Sequence, residues 1–132
     1  MTEQEIRKRI KSNRAWKKRF QWFQLGQRRC PCCGVQLTWD SDNTPRSATV
    51  EHLVLSSIGG TYHMQNTIVT CRSCNVARGN QDWIDFVQKN KLPKQEWLIE
   101  RYLKAVEFYR QHNKVVYLKT QKRVQQYLKE AA

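Results

Sequence analysis

The sequence is poor in glycine, proline and acidic residues, and no apolar run approaches the roughly 20 residues that a membrane-spanning helix needs. Its 132 residues include 5 glycines and 3 prolines. Hydrophobic residues make up 39% and charged residues 27%, values that exclude a collagen-like or disordered chain. The length excludes a large multidomain enzyme and fits one small domain, or a compact module with helical arms. The first thirty residues are too heavily charged for the apolar core of a secretory signal, so we expect a cytoplasmic protein.

The scarcity of acidic residues leaves a large positive charge. The chain has 24 Lys and Arg against 11 Asp and Glu, a formal net charge of +13. Residues 1–29 carry +8, residues 30–80 are neutral and residues 81–132 carry +5. This distribution predicts three parts: a basic arm (1–29), a neutral chemical module (30–80) and a basic extension (81–132). A polyanion, first of all a nucleic acid, is the partner that such charge favours.

The five cysteines favour a metal site over disulfides, because their number is odd and no export signal accompanies them. Two C-x-x-C pairs, Cys30 with Cys33 and Cys71 with Cys74, can supply four thiolates to a tetrahedral Zn²⁺. Cys32 is the spare cysteine. Four thiolates leave no open coordination position, so we expect this zinc to be structural. The alternative is that the cysteines are buried apolar thiols.

An amphipathic helix is predicted over residues 3–23, where apolar residues recur at helical spacing. Its other side is basic, and a basic pair follows the helix. We expect these residues to contact phosphate groups, although a solvated charged face is the alternative. The predicted nucleic-acid-binding residues are Arg7, Lys8, Lys11, Arg14, Lys18, Arg19, Arg28 and Arg29.

Between the cysteine pairs, strands are predicted over 48–53 and 66–70, and a helix begins in the second pair. From residue 82 onward the chain is predicted to be helical, with a break at 90–93, where Pro93 suits the start of the next helix, and an interruption at 112–113. Residues 114–129 form a last basic helix, although 115–118 alone would pass for a strand. Core positions are expected at Leu98, Tyr102, Ala105, Val106 and Tyr109. The fold class is therefore α+β.

The string Val50-Glu51-His52-Leu53, followed by Gly59-Gly60-Thr61 and by the run from Asn66 to Gly79, resembles the HNH endonuclease motif in its H-N-N variant. The resemblance implies a small ββα-metal module in which two strands and a helix hold a catalytic divalent cation. It implies that His52 is the general base and that Glu51 and Asn75 are the metal ligands. Asn66 corresponds to the residue that braces the loop and orients the histidine, and Arg78 to a basic residue that neutralises the phosphate.

These residue types suit phosphodiester hydrolysis. The reaction needs an activated water and a cation near the phosphate oxygens. A histidine side chain titrates near neutrality, at about pH 6.5 when unperturbed. Carboxylate and amide oxygens are hard ligands that suit Mg²⁺ or Mn²⁺. The chain departs from the common pattern in having Glu51 where Asp is usual and Asn75 where many members have histidine.

We therefore expect an HNH endonuclease that hydrolyses phosphodiester bonds of double-stranded DNA, by nicking or by double-strand cleavage. DNA is preferred over RNA because the family usually cuts DNA, which is an implication of the resemblance. The alternative is a catalytically inactive, zinc-stabilised nucleic-acid-binding or adaptor protein. That alternative explains the cysteines and the charge equally well, but not the nuclease spacing of Glu51, His52, Asn66 and Asn75.

Overall fold

A computed structural model describes residues 2, 4, 5, 14–39 and 44–132 of the chain. It divides the chain into two compact units. The knuckle unit comprises Met1–Glu51 and Ile68–Gly79, and the helical unit comprises His52–Thr67 and Asn80–Ala132. None of the described helices is long and apolar enough to cross a membrane.

The knuckle unit contains most of both strands and the short helix that follows them. After helix α1 (Arg14–Gln24), strand β1 (Ala48–His52) pairs antiparallel with β2 (Thr67–Cys71), and α2 (Arg72–Arg78) follows β2 directly. The Thr49 hydroxyl donates to the Thr70 carbonyl at 3.0 Å, which fixes the register of the two strands. All five residues of β2 are buried. The order of elements is therefore strand, loop, strand, helix.

The helical unit contains the loop between the strands and three helices. Two single 3₁₀ turns, Ser56–Ile58 and Met64–Asn66, shape the loop, and α3 (Trp83–Lys89), α4 (Gln95–His112) and α5 (Lys114–Ala131) follow. Asp82 caps α3, since its Oδ1 accepts from the Ile84 N–H at 2.9 Å. The fully buried Trp83 donates its indole N–H to the Leu98 carbonyl at 3.0 Å, which ties α3 to α4.

The predicted α+β class is confirmed. The strands lie within one residue of the predicted positions at each end, and the five expected core residues of α4 are all buried. The break between α4 and α5 falls at Asn113, whose Oδ1 caps α5 through the Val116 N–H. Residues 115–118 are helical, as the predicted helix over 114–129 requires, and the strand alternative is excluded. One detail differs: α4 begins at Gln95 rather than at Pro93, because Lys94 has the non-helical angles φ −112° and ψ 43°. Of the predicted helix over 3–23, residues 3 and 6–13 lie outside the described residues.

Candidate functional site

Four cysteine sulfurs cluster in the knuckle unit. The Sγ atoms of Cys30, Cys33, Cys71 and Cys74 all lie within 4.8 Å of one another. Cys33 Sγ and Cys71 Sγ are 3.7 Å apart. Sulfurs bound at about 2.3 Å to a tetrahedral zinc ion are separated by about 3.8 Å. The cluster therefore has the size and the donor chemistry to hold Zn²⁺, and four thiolates would complete its coordination.

Hydrogen bonds donated by backbone N–H groups hold both C-x-x-C turns in place. In the first turn, the Cys30 N–H donates to the Val35 carbonyl and the Gly34 N–H donates to the Cys30 carbonyl, both at 2.8 Å. Gly34 has a φ of +80°, a left-handed conformation that glycine adopts without steric cost. In the second turn, Cys71 ends β2 and its Sγ accepts the Cys74 N–H at 3.4 Å. The second pair thus occupies a strand–helix junction.

The thiols influence one another's ionisation. The thiols of Cys32 and Cys74 donate hydrogen bonds to the Cys30 sulfur. These bonds lower the pKa of Cys30 and raise the pKa of Cys32 and of Cys74. Burial is the main cause of the raised pKa of Cys71. Without a cation, the sulfurs therefore cannot all ionise easily at neutral pH. A bound Zn²⁺ removes this penalty, since thiolates are the ligand form of cysteine. Cys32 is buried beside the cluster but is not one of its four members.

A buried ion pair joins β1 to α2. Arg78 Nη1 donates to Glu51 Oε1 at 2.8 Å, and the two side chains are 1% and 7% exposed. The resemblance implies a phosphate contact for Arg78 and a metal contact for Glu51. The structure brings these two side chains together in the interior of the knuckle unit. The carboxylate has a second oxygen, Oε2, through which it could also coordinate a cation.

Asn75 lies on α2, three residues before Arg78. Residues three apart share a face of a helix. Because Arg78 reaches Glu51, this face of α2 is directed toward the end of β1. The half-buried Asn75 amide and the Glu51 carboxylate are both hard oxygen donors, so their chemistry fits Mg²⁺ or Mn²⁺.

Asn66 is fully buried in the helical unit and organises the loop between the strands. Its Oδ1 accepts the Val54 N–H at 2.8 Å, and its Nδ2 donates to the carbonyls of Val54 and Thr61, both at 3.0 Å. Its own carbonyl accepts the Leu53 N–H at 2.8 Å. These bonds connect Asn66 to Leu53, Val54 and Thr61 and so hold the loop together. They begin one residue after His52.

His52 ends β1 and is half-buried. Its ring meets the edge of the Tyr62 ring, with centroids 4.5 Å apart and planes at 63°. This contact restricts the orientation of the imidazole. His63, by contrast, stacks on Phe108 at 4.1 Å, and its Nδ1 accepts the Gln65 N–H.

Several of the predicted phosphate-binding residues have contacts within the knuckle unit. Arg19 Nη2 donates to the Trp39 carbonyl at 3.1 Å, and Arg29 Nη1 donates to the Gly34 carbonyl at 3.1 Å. The Arg28 guanidinium lies 4.3 Å from the centre of the Phe23 ring. Partial burial lowers the pKa of Lys18. The structure does not describe the side chains of four further predicted residues, Arg7, Lys8, Lys11 and Arg14.

Two loop residues contribute to this geometry, although neither of them was predicted from the sequence to have a role in the site. A Cβ at Gly60 would overlap the Val54 carbonyl oxygen and come within 2.9 Å of Asn66 Nδ2, so the brace requires glycine there. The Gly59-Gly60 pair was a visible signal for such a close approach. Tyr62 carried no signal, because no motif spacing connects it to His52.

Comparison with known proteins identifies the central segment. Residues 30–81 match the family model described as HNH endonuclease. This match confirms the resemblance over a segment that contains both cysteine pairs and all five residues of the motif. No curated protein and no solved structure gives a significant match to the chain. An HNH domain suggests a nuclease-type function, and HNH nucleases act on nucleic acid. The four clustered cysteines could bind zinc.

Proposed function

We propose that the chain is a metal-dependent HNH endonuclease that hydrolyses phosphodiester bonds of double-stranded DNA, by nicking or by double-strand cleavage. The observation that carries this proposal is the family match at 30–81, which covers every residue given a catalytic role. The three-part organisation assigns 30–80 to the nuclease module and the basic flanks, 1–29 and 81–132, to holding the substrate. Zinc in the cysteine cluster stabilises the module.

His52 is the general base in this proposal. Its imidazole accepts a proton from the attacking water, whose oxygen forms a new bond to phosphorus. The bond between phosphorus and the 3′ oxygen breaks, and that oxygen takes a proton from solvent. The ring contact with Tyr62 supports the role, because a base must be held in a defined orientation toward its water.

Glu51 and Asn75 would hold the catalytic cation, Mg²⁺ or Mn²⁺, which when bound stabilises negative charge on the phosphate oxygens. The ion pair with Arg78 supports this assignment for Glu51. A carboxylate in the interior is stable as an anion only when a cation compensates it, and Arg78 supplies that charge and fixes one of the two oxygens. Arg78 is therefore a positioning residue, a different role from the phosphate contact expected from the sequence.

Asn66 is also a positioning residue. Its hydrogen bonds fix Val54 and Thr61, and the loop that they define begins at the residue after His52. Loss of these bonds would release the backbone on one side of the proposed base. We expect the base to lose its orientation rather than its chemistry.

Cleavage of a supercoiled plasmid in Mg²⁺ or Mn²⁺ tests the proposal. Wild-type protein should convert the plasmid to nicked or linear forms, and His52→Ala should abolish the conversion while leaving zinc content and DNA binding unchanged. His112→Ala is the matched control, because His112 is exposed at the end of α4 and should be dispensable. A plasmid that stays intact with wild-type protein across several sequences and salt concentrations would refute the enzyme. Salt-sensitive binding without cleavage would instead favour the inactive binding protein.

A further inference from the structure

The positive charge of the helical unit is concentrated on its last helix. Helix α5 contains five basic residues and one acidic residue, Glu130. The rest of the unit contains six basic and five acidic residues. Nearly all of the excess charge of this unit therefore belongs to α5, which is outside the segment that matches the HNH family.

The charges on α5 are arranged on one side. Val116, Thr120 and Val124 are buried and define the inner face of the helix. Four exposed lysines lie on the opposite face, within about 140° at 100° per residue. They are Lys114, Lys119, Lys122 and Lys129. The fifth basic residue, Arg123, belongs to the other side, where its Nε donates to Asp85 Oδ1 at 2.7 Å. At 1.5 Å per residue, the four lysines extend over about 22 Å.

The lysine face differs from the exposed surface of α4. On α4, Lys104 pairs with Glu100 at 3.3 Å and Arg110 pairs with Glu107 at 2.6 Å. The ion pairs among the described residues include none of the four α5 lysines. Lys119 and Lys122, three residues apart, instead repel each other weakly. A charged face that only serves solubility would resemble that of α4, with both signs present.

Two aliphatic side chains lie among the lysines. Val115 and Leu118 are 64% and 59% exposed. An aliphatic group next to a cation suits a backbone in which charged phosphates alternate with less polar sugars. A second copy of α5 is a poor occupant, because pairing two such faces would bring eight lysine ammonium groups together. The charge of this face therefore favours binding to a polyanion over association with a second copy of the chain.

We infer that the lysine face of α5 binds the sugar-phosphate backbone of a nucleic acid. This inference rests on the proposed function, since it assigns a substrate-holding surface to the nuclease. It adds a surface to the basic residues of 1–29. The α5 lysines would increase the affinity for nucleic acid and the salt dependence of that affinity. They would not contribute a preference for particular base sequences.

The test measures binding without cleavage, so that its failure is distinct from failure of the nuclease proposal. In a His52→Ala background with zinc bound, the anisotropy of a labelled 30-base-pair duplex gives Kd at several salt concentrations. The variant is K119Q/K122Q/K129Q. The control is K89Q/K91Q/K94Q, which removes the same charge from three exposed lysines, one at the end of α3 and two between α3 and α4. Circular dichroism and zinc content verify that both variants are folded.

The α5 variant should lower the slope of log K against log salt by about 2 to 3, at about 0.9 per phosphate contact, and the control by less than one. An equal decrease of the slope in the two variants would mean that only the net charge matters, and it would overturn the inference. Unchanged DNA binding by the α5 variant would also overturn it. A dimer that Leu118→Glu dissociates would assign the face to a second copy and would also overturn it. Reduced binding restricted to the α5 variant supports the inference even if no cleavage is ever observed.

Discussion

Replacing Arg78 by methionine should destabilise the protein by about 3–5 kcal/mol, a cost typical of breaking a buried ion pair. The guanidinium is 1% exposed and binds Glu51 at 2.8 Å. Methionine fills most of the volume but removes the guanidinium that pairs with the buried Glu51 carboxylate. Glu51→Leu should destabilise the protein to a similar extent, because it leaves the Arg78 charge buried instead.

The intact pair itself should contribute little net stability. At an effective dielectric constant of about 20, two charges at this separation attract each other by on the order of 5 kcal/mol. Removing both charges from water costs several kcal/mol per ion. Because the two quantities nearly cancel, the double variant Glu51→Leu with Arg78→Met should recover most of the stability that each single variant loses.

Urea unfolding of the zinc-bound protein, followed by circular dichroism, measures all four forms of this double-mutant cycle. Zinc content is the control, since neither residue belongs to the cysteine cluster. The reasoning predicts a coupling energy of several kcal/mol together with loss of plasmid cleavage in every variant. A cost below about 1 kcal/mol for Arg78→Met, the level of an exposed pair, would refute it.

Two further predictions concern the cysteine cluster and the loop brace. Cys71→Ser, or a strong chelator, should unfold the knuckle unit, because metal binding supplies much of the folding free energy of a small module. The control variant Cys32→Ser should retain zinc. An unchanged melting curve for Cys71→Ser would contradict a zinc site in the cysteine cluster. Asn66→Ala should cost about 2–4 kcal/mol in urea, because it leaves buried backbone groups of Val54 unsatisfied. The same change at Asn75 should reduce cleavage with little loss of stability, and equal destabilisation by the two would contradict the brace.

Much of the fold was accessible from local patterns. The two C-x-x-C spacings predicted the sulfur cluster, because each pair is short enough for its own backbone to orient it. The strands and the core of α4 followed from periodicity. The ambiguity at residues 115–118 had a physical origin, since three apolar residues and a tyrosine suit either structure. The Asn113 cap and the burial of Val116, Thr120 and Val124 at helical spacing favour the helix.

The contacts around the proposed site were less accessible. Glu51 and Arg78 are separated by 27 residues, and their contact depends on the register of β1 against β2 and on the rotation of α2. No pattern in the sequence encodes that register. The motif supplied both residues but assigned them separate roles, one toward a cation and one toward a phosphate. Only the distance between them reveals that they form an ion pair.

The pairing changes what a cation would meet at Glu51. A carboxylate in water loses most of its hydration when it binds a metal, whereas Glu51 is already 7% exposed and held by Arg78 through Oε1. Its desolvation is therefore completed during folding rather than during metal binding. The Arg78 guanidinium also reduces the negative charge that Glu51 offers to the cation. The cation should therefore bind more tightly when a substrate phosphate supplies additional negative charge. Metal affinity measured on the protein alone should consequently be weaker than in the presence of DNA, and the Arg78→Met change should reduce that difference.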